Sequence, residues 1–248
     1  MKKEWNARAL KNAYHYVSTF KKEWDDKSFY RWGEIQTQAV IDRFLKDQSY
    51  NPSDKTVLEI GCGAGRLTRA LASRFKLVYG YDVSDQYIQI AKEKNNHLRN
   101  IIFKVNDGIS FPEIDNDYID FVFSGWTMQH MPTKEVVIKN IEEIARILKI
   151  GAIYKIDPRI TTRSRIKEFS ISKITKLFPF LVNDKLKSTQ TFRGVTFSEK
   201  EIFDILSSYG LSVNTLIEED GSESFYGKRV PKKWFYGKKI EKHACEAI

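Results

Sequence analysis

Short apolar runs at 56–60, 77–81, 101–105, 119–124 and 152–156 punctuate the middle of the chain. Their β-branched and aromatic residues show little polar alternation, which predicts strands buried on both faces. Between them, apolar residues recur at helical spacing over 66–75, 85–95 and 134–148. In the last of these, Ile138, Ile141, Ile144, Ala145 and Leu148 form one apolar stripe suited to lie on a sheet. Ser84 or Asp85 is placed to cap the helix at 85–95, and Thr133 the helix at 134–148. Strand and helix in alternation predict an α/β sheet with helices on both faces.

Two segments stand outside this alternation. Residues 1–45 are helical in pattern and rich in aromatics, and residues 160–195 intervene after the fifth strand. Beyond them, "FSEKEIFDILSSYGLSVNTLIEE" reads as a capped helix, a glycine stop at Gly210 and a strand. "EDGSES" follows as a turn, with "SFYGKRV" as the returning hairpin strand. The expectation is about seven strands in one domain, with additions at both ends of the core.

The first strand runs into Gly61, Gly63 and Gly65 and then into a helix. Glycines so placed let the main chain approach a bound molecule closely, and a helix amino terminus offers its N–H groups to a polar ligand. The dinucleotide spacing G-x-G-x-x-G fails here, because Arg66 stands where its third glycine belongs. This disfavours an NAD-dependent oxidoreductase. Glu59 precedes the loop, giving E-x-G-x-G-x-G. Asp82 ends the second strand, 21 residues after Gly61, where a carboxylate can accept both hydroxyls of a ribose. Asp107 ends the third strand. Taken singly, either aspartate also suits a helix cap or a turn. Their place at consecutive strand tips favours one shared crevice.

With these features the sequence resembles the class I S-adenosylmethionine-dependent methyltransferases of small-molecule type. "LEIGCGAGRLT", "VYGYDVS", "FKVNDG", "YIDFVFSGWTMQHM" and "ILKIGAIYKIDP" match the family's stations in order, from about Lys55 to Asp157. The resemblance implies a Rossmann-like, seven-stranded, mostly parallel sheet. It also implies S-adenosyl-L-methionine as cofactor, held by Glu59, Gly61, Cys62, Gly63, Gly65, Asp82, Val83, Asp107, Gly108 and Ser124, with Asp107 serving the adenine amino group. Gly151-Ala152 stands where the family commonly has paired glycines, and the terminal segments match no shared motif.

For the acceptor, His130 lies just beyond the fourth strand and is the candidate base, with a structural hydrogen bond as the alternative role. Tyr14 and Tyr30 are expected in a lid or pocket, with Trp126 and Arg159 on the substrate side. A lid tyrosine facing a histidine after the fourth strand also resembles some phosphoethanolamine methyltransferases. Arg159, Arg163 and Arg165 could clamp a phosphate or carboxylate. Alternatively, Ile166, Phe169, Ile174 and Leu177 form the apolar face of a basic helix for an anionic membrane or a carrier protein.

Composition narrows the choice. With 248 residues, 42% hydrophobic and 29% charged, the chain can bury a full core. Its net charge of +9 is concentrated: 155–193 holds ten Lys/Arg against three Asp/Glu, and 228–242 seven against one. That distribution keeps an anionic partner in play, including RNA. An RNA methyltransferase is disfavoured by the absence of an N/D-P-P-Y/F-type sequence after the fourth strand. A catalytically silent cofactor-binding module is the remaining alternative. Cys62 and Cys245 have no paired spacing, so neither a disulfide framework nor a metal site is expected. No apolar stretch reaches the roughly 18 residues of a membrane span, and no secretory signal is evident, so a cytoplasmic protein is expected. The sequence is therefore read as one methyltransferase domain. It divides into a lid at 1–45, a cofactor core at 55–157, a substrate-shaping insertion at 158–195, and a final helix and hairpin at 196–248. The expected reaction is methyl transfer to O or N of a small anionic metabolite. Oligomeric state is left open.

Overall fold

The computed structural model describes residues 1–19, 21–161, 194–218 and 232–241. Arg163, Arg165, the apolar face from Ile166 to Leu177, the "EDGSES" turn and Cys245 lie outside them. Strands β1 (Thr56–Ile60), β2 (Leu77–Asp82), β3 (Ile101–Val105), β4 (Ile119–Ser124), β5 (Leu148–Ile156), β6 (Asn214–Glu218) and β7 (Lys232–Lys238) form one sheet in the order β3-β2-β1-β4-β5-β7-β6. The first five pair in parallel, and β7 runs antiparallel to both β5 and β6. Chain order departs to opposite sides from β1 and β4, which opens a crevice beyond their carboxyl ends.

The helices are α1 (Lys2–Val17), α2 (Asp26–Thr37), α3 (Arg43–Asp47), α4 (Arg66–Ala72), α5 (Asp85–Lys94), α6 (Lys134–Ile147) and α7 (Glu199–Ser208). Side-chain oxygens of Ser84 and Thr133 accept the Tyr87 and Val136 N–H groups, and Ser198 with Glu201 closes a capping box on α7. Gly210 takes φ +72° just past α7, a conformation that suits glycine at a helix end.

Neighbouring residues along β1 serve opposite faces. Leu58 and Ile60 join Val122, Ile141, Ile144, Tyr154 and Phe235 in one core. Val57 joins Phe121, Phe123, Leu67, Leu71, Phe44 and Trp234 in the other. Burial on both faces is why β1 and β4 lack polar alternation, whereas β3, at the sheet edge, is only partly buried and leaves Val105 exposed. Each such side chain contributes about 1.5–3 kcal/mol on leaving water.

α2 meets α4 closely because Gly33 has no side chain: a Cβ there would collide with the backbone carbonyl of Arg66. Arg74 fastens the same helices, reaching Glu34 at 2.5 Å and Asp42 at 2.6 Å. A π-helical turn, Gln38–Asp42, joins α2 to α3, and the Val40 carbonyl O in it accepts the buried Lys155 ammonium at 2.7 Å.

Two boundaries differ from expectation by more than one residue, and one strand pairs with a different partner. β5 begins at Leu148, directly after α6, and bulges between its pairings with Ile119 and Phe121. α4 ends at Ala72 and not at 75. The partner of β6 is β7, Lys232–Lys238, whereas "SFYGKRV" at 224–230 lies outside the described residues. The lysines at the ends of β7 disguise it as a solvated charge run, yet Trp234 and Phe235 within it are fully buried. Among the described residues no helix is long and apolar enough to cross a membrane.

Candidate active site

The glycine loop, the tips of β2 and β3, and the turn after β4 converge at the crevice. Gly61, Gly63 and Gly65 have φ of +77°, +53° and +76°, a region costly for other residues. Each also meets a neighbour. A Cβ at Gly61 would collide with Thr127, one at Gly63 would come 2.8 Å from Val17 of α1, and one at Gly65 would come 2.9 Å from Phe103. The loop is anchored where the Gly61 N–H donates to the Tyr81 carbonyl at 2.7 Å.

Asp82 locks β2 to this loop. Its carboxylate accepts the Gly63 N–H and the Ser84 N–H, each at 2.9 Å. Burial pushes its pKa up to about 6, against those two donors. Glu59 is buried behind the loop and accepts the Thr68 hydroxyl at 2.5 Å, so it ties β1 to α4. Burial raises it to about 7, opposed by Thr68 and by the nearby Arg66 charge. Cys62 is buried in the loop, which pushes its thiol up. Ser124, at the tip of β4, is fully buried and its hydroxyl has no hydrogen-bond partner.

Asp107 is exposed and accepts the Ile109 and Ser110 N–H groups, both at 2.8 Å. Partial burial works against its ionisation, but these donors outweigh it and the carboxyl sits below its usual range. Gly108 beside it, φ +85°, leaves room for Val83 and for the methyl of Met1.

Across from the loop, a short 3-10 turn, Met128–His130, follows β4. Trp126 enters it at φ +61°, which costs a non-glycine residue about 1–2 kcal/mol. Its N–H donates to the buried Asp157 carboxylate at 2.7 Å, and Asp157 pairs in turn with Lys232 of β7. The Lys232 ammonium lies 4.6 Å from the Trp126 ring centre and 5.0 Å from that of Trp234. The Thr127 hydroxyl donates to the Gly125 carbonyl at 3.2 Å, with the Gly61 carbonyl at 3.5 Å. His130 Nε2 is 3.3 Å from the Gln129 amide nitrogen. Gly194 and Val195 donate to the Gln129 and Met131 carbonyls, stitching the chain beyond the insertion to this turn. Arg159, past β5, donates to the Gly194 carbonyl at 3.4 Å.

α1 lies over the crevice from the opposite side. Trp5 meets His130 edge-on at 5.5 Å between ring centres, Asn6 accepts the Ser84 hydroxyl at 2.6 Å, and Lys2 pairs with Asp85 at 2.9 Å. Tyr14 and Tyr30 sit to the side of the loop, 6.3 Å apart. Tyr14 donates to Asp26 at 2.7 Å and Tyr30 to the Ala64 carbonyl at 3.0 Å. Burial raises both phenols, and for Tyr14 the Asp26 carboxylate adds to it. A cavity of about 330 Å³ opens outside them, between Tyr30, Arg69 and His97.

The expected cofactor residues thus share one end of the sheet, and His130 and Trp126 share the turn facing them. Trp5, Val17, Thr127, Asp157 and Lys232 were not singled out from sequence. Asp157 had a signal as the last residue of "ILKIGAIYKIDP", whereas Lys232 was counted only as surface charge. The residues present fit an adenosine-bearing sulfonium: left-handed glycines lead into a helix amino terminus, with the Asp82 carboxylate at the tip of β2 and apolar Val83 beside it.

Residues 57–151 match the family described as Methyltransferase domain. Phosphoethanolamine N-methyltransferase 1 of Caenorhabditis elegans is 34% identical over 84 residues, covering 34% of this chain and 18% of that protein. The Triticum aestivum protein of the same name is 38% identical over 100 residues, covering 39% and 20%. The matched segment therefore spans about a fifth of the length of these relatives. Magnesium protoporphyrin IX methyltransferase from Synechocystis PCC 6803, solved with bound S-adenosylhomocysteine, shares the fold with a TM-score of 0.65 at 20% identity, covering 96% and 97% of the two chains.

Proposed function

We propose, from the match of residues 57–151 to the Methyltransferase domain family and from the sheet order that goes with it, that the chain transfers a methyl group from S-adenosylmethionine to an O or N atom of a small acceptor bearing a phosphate or carboxylate. Phosphoethanolamine is the first acceptor to try, since phosphoethanolamine N-methyltransferases align with more than a third of this chain. The observation that carries the reading is Asp82 bonded to the Gly63 N–H at the crevice, with the His130 turn facing it.

The cofactor, when bound, supplies an electrophilic methyl for in-line displacement. In this reading the Asp82 carboxylate accepts the ribose hydroxyls, the glycine loop and Gly108 give the main chain close approach, and Val83 and Asp107 flank the adenine. Glu59 and Cys62 shape the loop from behind, with Ser124 beneath. The Gln129 amide can only donate to His130 Nε2, which puts the ring proton on Nδ1 and occupies the Nε2 lone pair; in this reading Nε2 takes a proton from an acceptor amine or hydroxyl once that substrate group replaces the Gln129 amide as its partner. Trp126 and Arg159 line the acceptor side, Arg159 facing the anionic group. Tyr14 and Tyr30 serve as lid residues that hold α1 and α2 against the loop. The whole acts as one cytoplasmic domain with its lid at 1–45 and its substrate-shaping segment at 158–195.

Calorimetry with S-adenosylhomocysteine and with NADH, followed by transfer of labelled methyl to phosphoethanolamine, tests the proposal. Binding of the first ligand alone is expected, with His130→Ala lowering turnover at unchanged affinity for it. A folded protein that ignores S-adenosylhomocysteine would overturn the reading.

A further inference from the structure

The acceptor-side turn is held in an unfavourable backbone conformation by residues distant in sequence. Asp157 is only 1% exposed, and its carboxylate joins the turn after β4 to β7. It accepts the N–H of Trp126 at 2.7 Å and pairs with the ammonium of Lys232 on β7. Trp126 is the residue at φ +61°. From it the chain passes directly to Thr127, against Gly61, and to His130 two residues after Met128. Lys232 also lies over the Trp126 and Trp234 rings, which stand 5.7 Å apart and nearly perpendicular. A buried carboxylate and ammonium are expensive to desolvate, so the pair is weak as a source of stability alone. Its geometry instead fixes where one backbone N–H points.

We propose that Asp157, paired with Lys232, is a positioning residue for the acceptor half of the crevice, acting through Trp126 to set the turn that presents His130; this rests on the methyl-transfer reading above. A carboxylate at the tip of β5 pulls on the amide of Trp126 while the ammonium from β7 neutralises it. The three strands β4, β5 and β7 thereby fix one loop. The cofactor half, built on β1, β2 and β3, does not use this pair.

The test compares Asp157→Asn, which keeps an oxygen for the Trp126 N–H, with Asp157→Ala and with Asp157→Ala/Lys232→Met, which leaves no orphaned ammonium. The readouts are resonances of isotope-labelled His and Trp side chains, S-adenosylhomocysteine affinity, and turnover on phosphoethanolamine. In the double variant the His130 and Trp126 signals are expected to move while His97 stays. Affinity should hold and turnover should fall about 10- to 100-fold, with Asp157→Asn remaining close to the parent. The double variant covers the case in which Asp157→Ala does not fold. Unmoved His130 and Trp126 signals in a folded variant, or affinity falling in step with turnover, would overturn the proposal. A parent protein that ignores S-adenosylhomocysteine or phosphoethanolamine would instead count against the function reading, and the resonance comparison would still decide this one.

Discussion

Trp5 and His130, 125 residues apart in the chain, meet edge to face at 5.5 Å between ring centres. This contact, with the Trp5–Tyr87 pair at 6.4 Å, docks the start of α1 over the acceptor turn. Aromatic pairs of this kind contribute about 0.5–1.5 kcal/mol each beyond buried area. Trp5→Ala is therefore expected to loosen α1 by about 1–3 kcal/mol while leaving the sheet intact, because Trp5 belongs to neither large core. Hydrogen exchange should quicken over residues 2–17 and not in β1 or β4. Equal acceleration in the strands would mean that α1 is integral to the core.

Asp82 offers a direct measurement of the cofactor half. Asp82→Ala removes a charged acceptor and also leaves the Gly63 N–H without its partner. Calorimetry should show S-adenosylhomocysteine binding weakened by about 1–3 kcal/mol. Unchanged affinity would place the ribose elsewhere.

Asp82 is raised from 3.8 to about 6 and Glu59 from 4.5 to about 7, chiefly by burial. Both carboxyls therefore bind their protons more tightly in the folded chain. Their contribution to stability is fully present below the ordinary carboxylate values and is lost as pH rises through about 6 to 7. On the proposed reading, ribose hydroxyls donating to Asp82 would favour its ionised form and pull its pKa back down. Cofactor affinity should then rise with pH across the same window, with proton release seen as a dependence of the calorimetric heat on buffer. Identical proton release from Asp82→Asn would assign the effect to another group.

Gly61 and Gly63 differ in what stands against them. Gly61→Ala combines positive φ with a collision against Thr127, joined to Gly61 through the site itself. Gly63→Ala, also at positive φ, presses only on the side chain of Val17, which belongs to α1. The first should lower the melting temperature and abolish binding of S-adenosylhomocysteine. The second should chiefly displace α1, read as faster proteolysis near residue 17. Reversed outcomes would show that Thr127 yields more readily than α1.

The core was legible because its signals are local. β1, β3 and β4 fall where the apolar runs predict, since β-branched and aromatic residues dominate each run and no more than one charged residue (Glu59, Lys104, Asp120) interrupts it. Ser84, Thr133 and Ser198 cap as read because a cap is decided within three residues. β7 was hidden by its charge. Lys232 counts as solvated until Asp157 is known to face it, and Lys155 until Val40 and the rings of Phe44 and Trp234 surround it. The resting places of Tyr14 and Tyr30 were equally out of reach, since Asp26 and the Ala64 carbonyl capture their hydroxyls only after α1, α2 and α4 have met.

The place of β7 inside the sheet carries an implication for biosynthesis. A ribosome delivers the glycine loop and the β2 and β3 tips early, whereas Lys232 emerges some 75 residues after Asp157. Until then β5 has an open edge, and the carboxylate destined for burial waits without its counter-ion. The part of the sheet around the glycine loop can thus consolidate on the nascent polypeptide, while the turn at Trp126–His130 is fixed only once β7 has emerged.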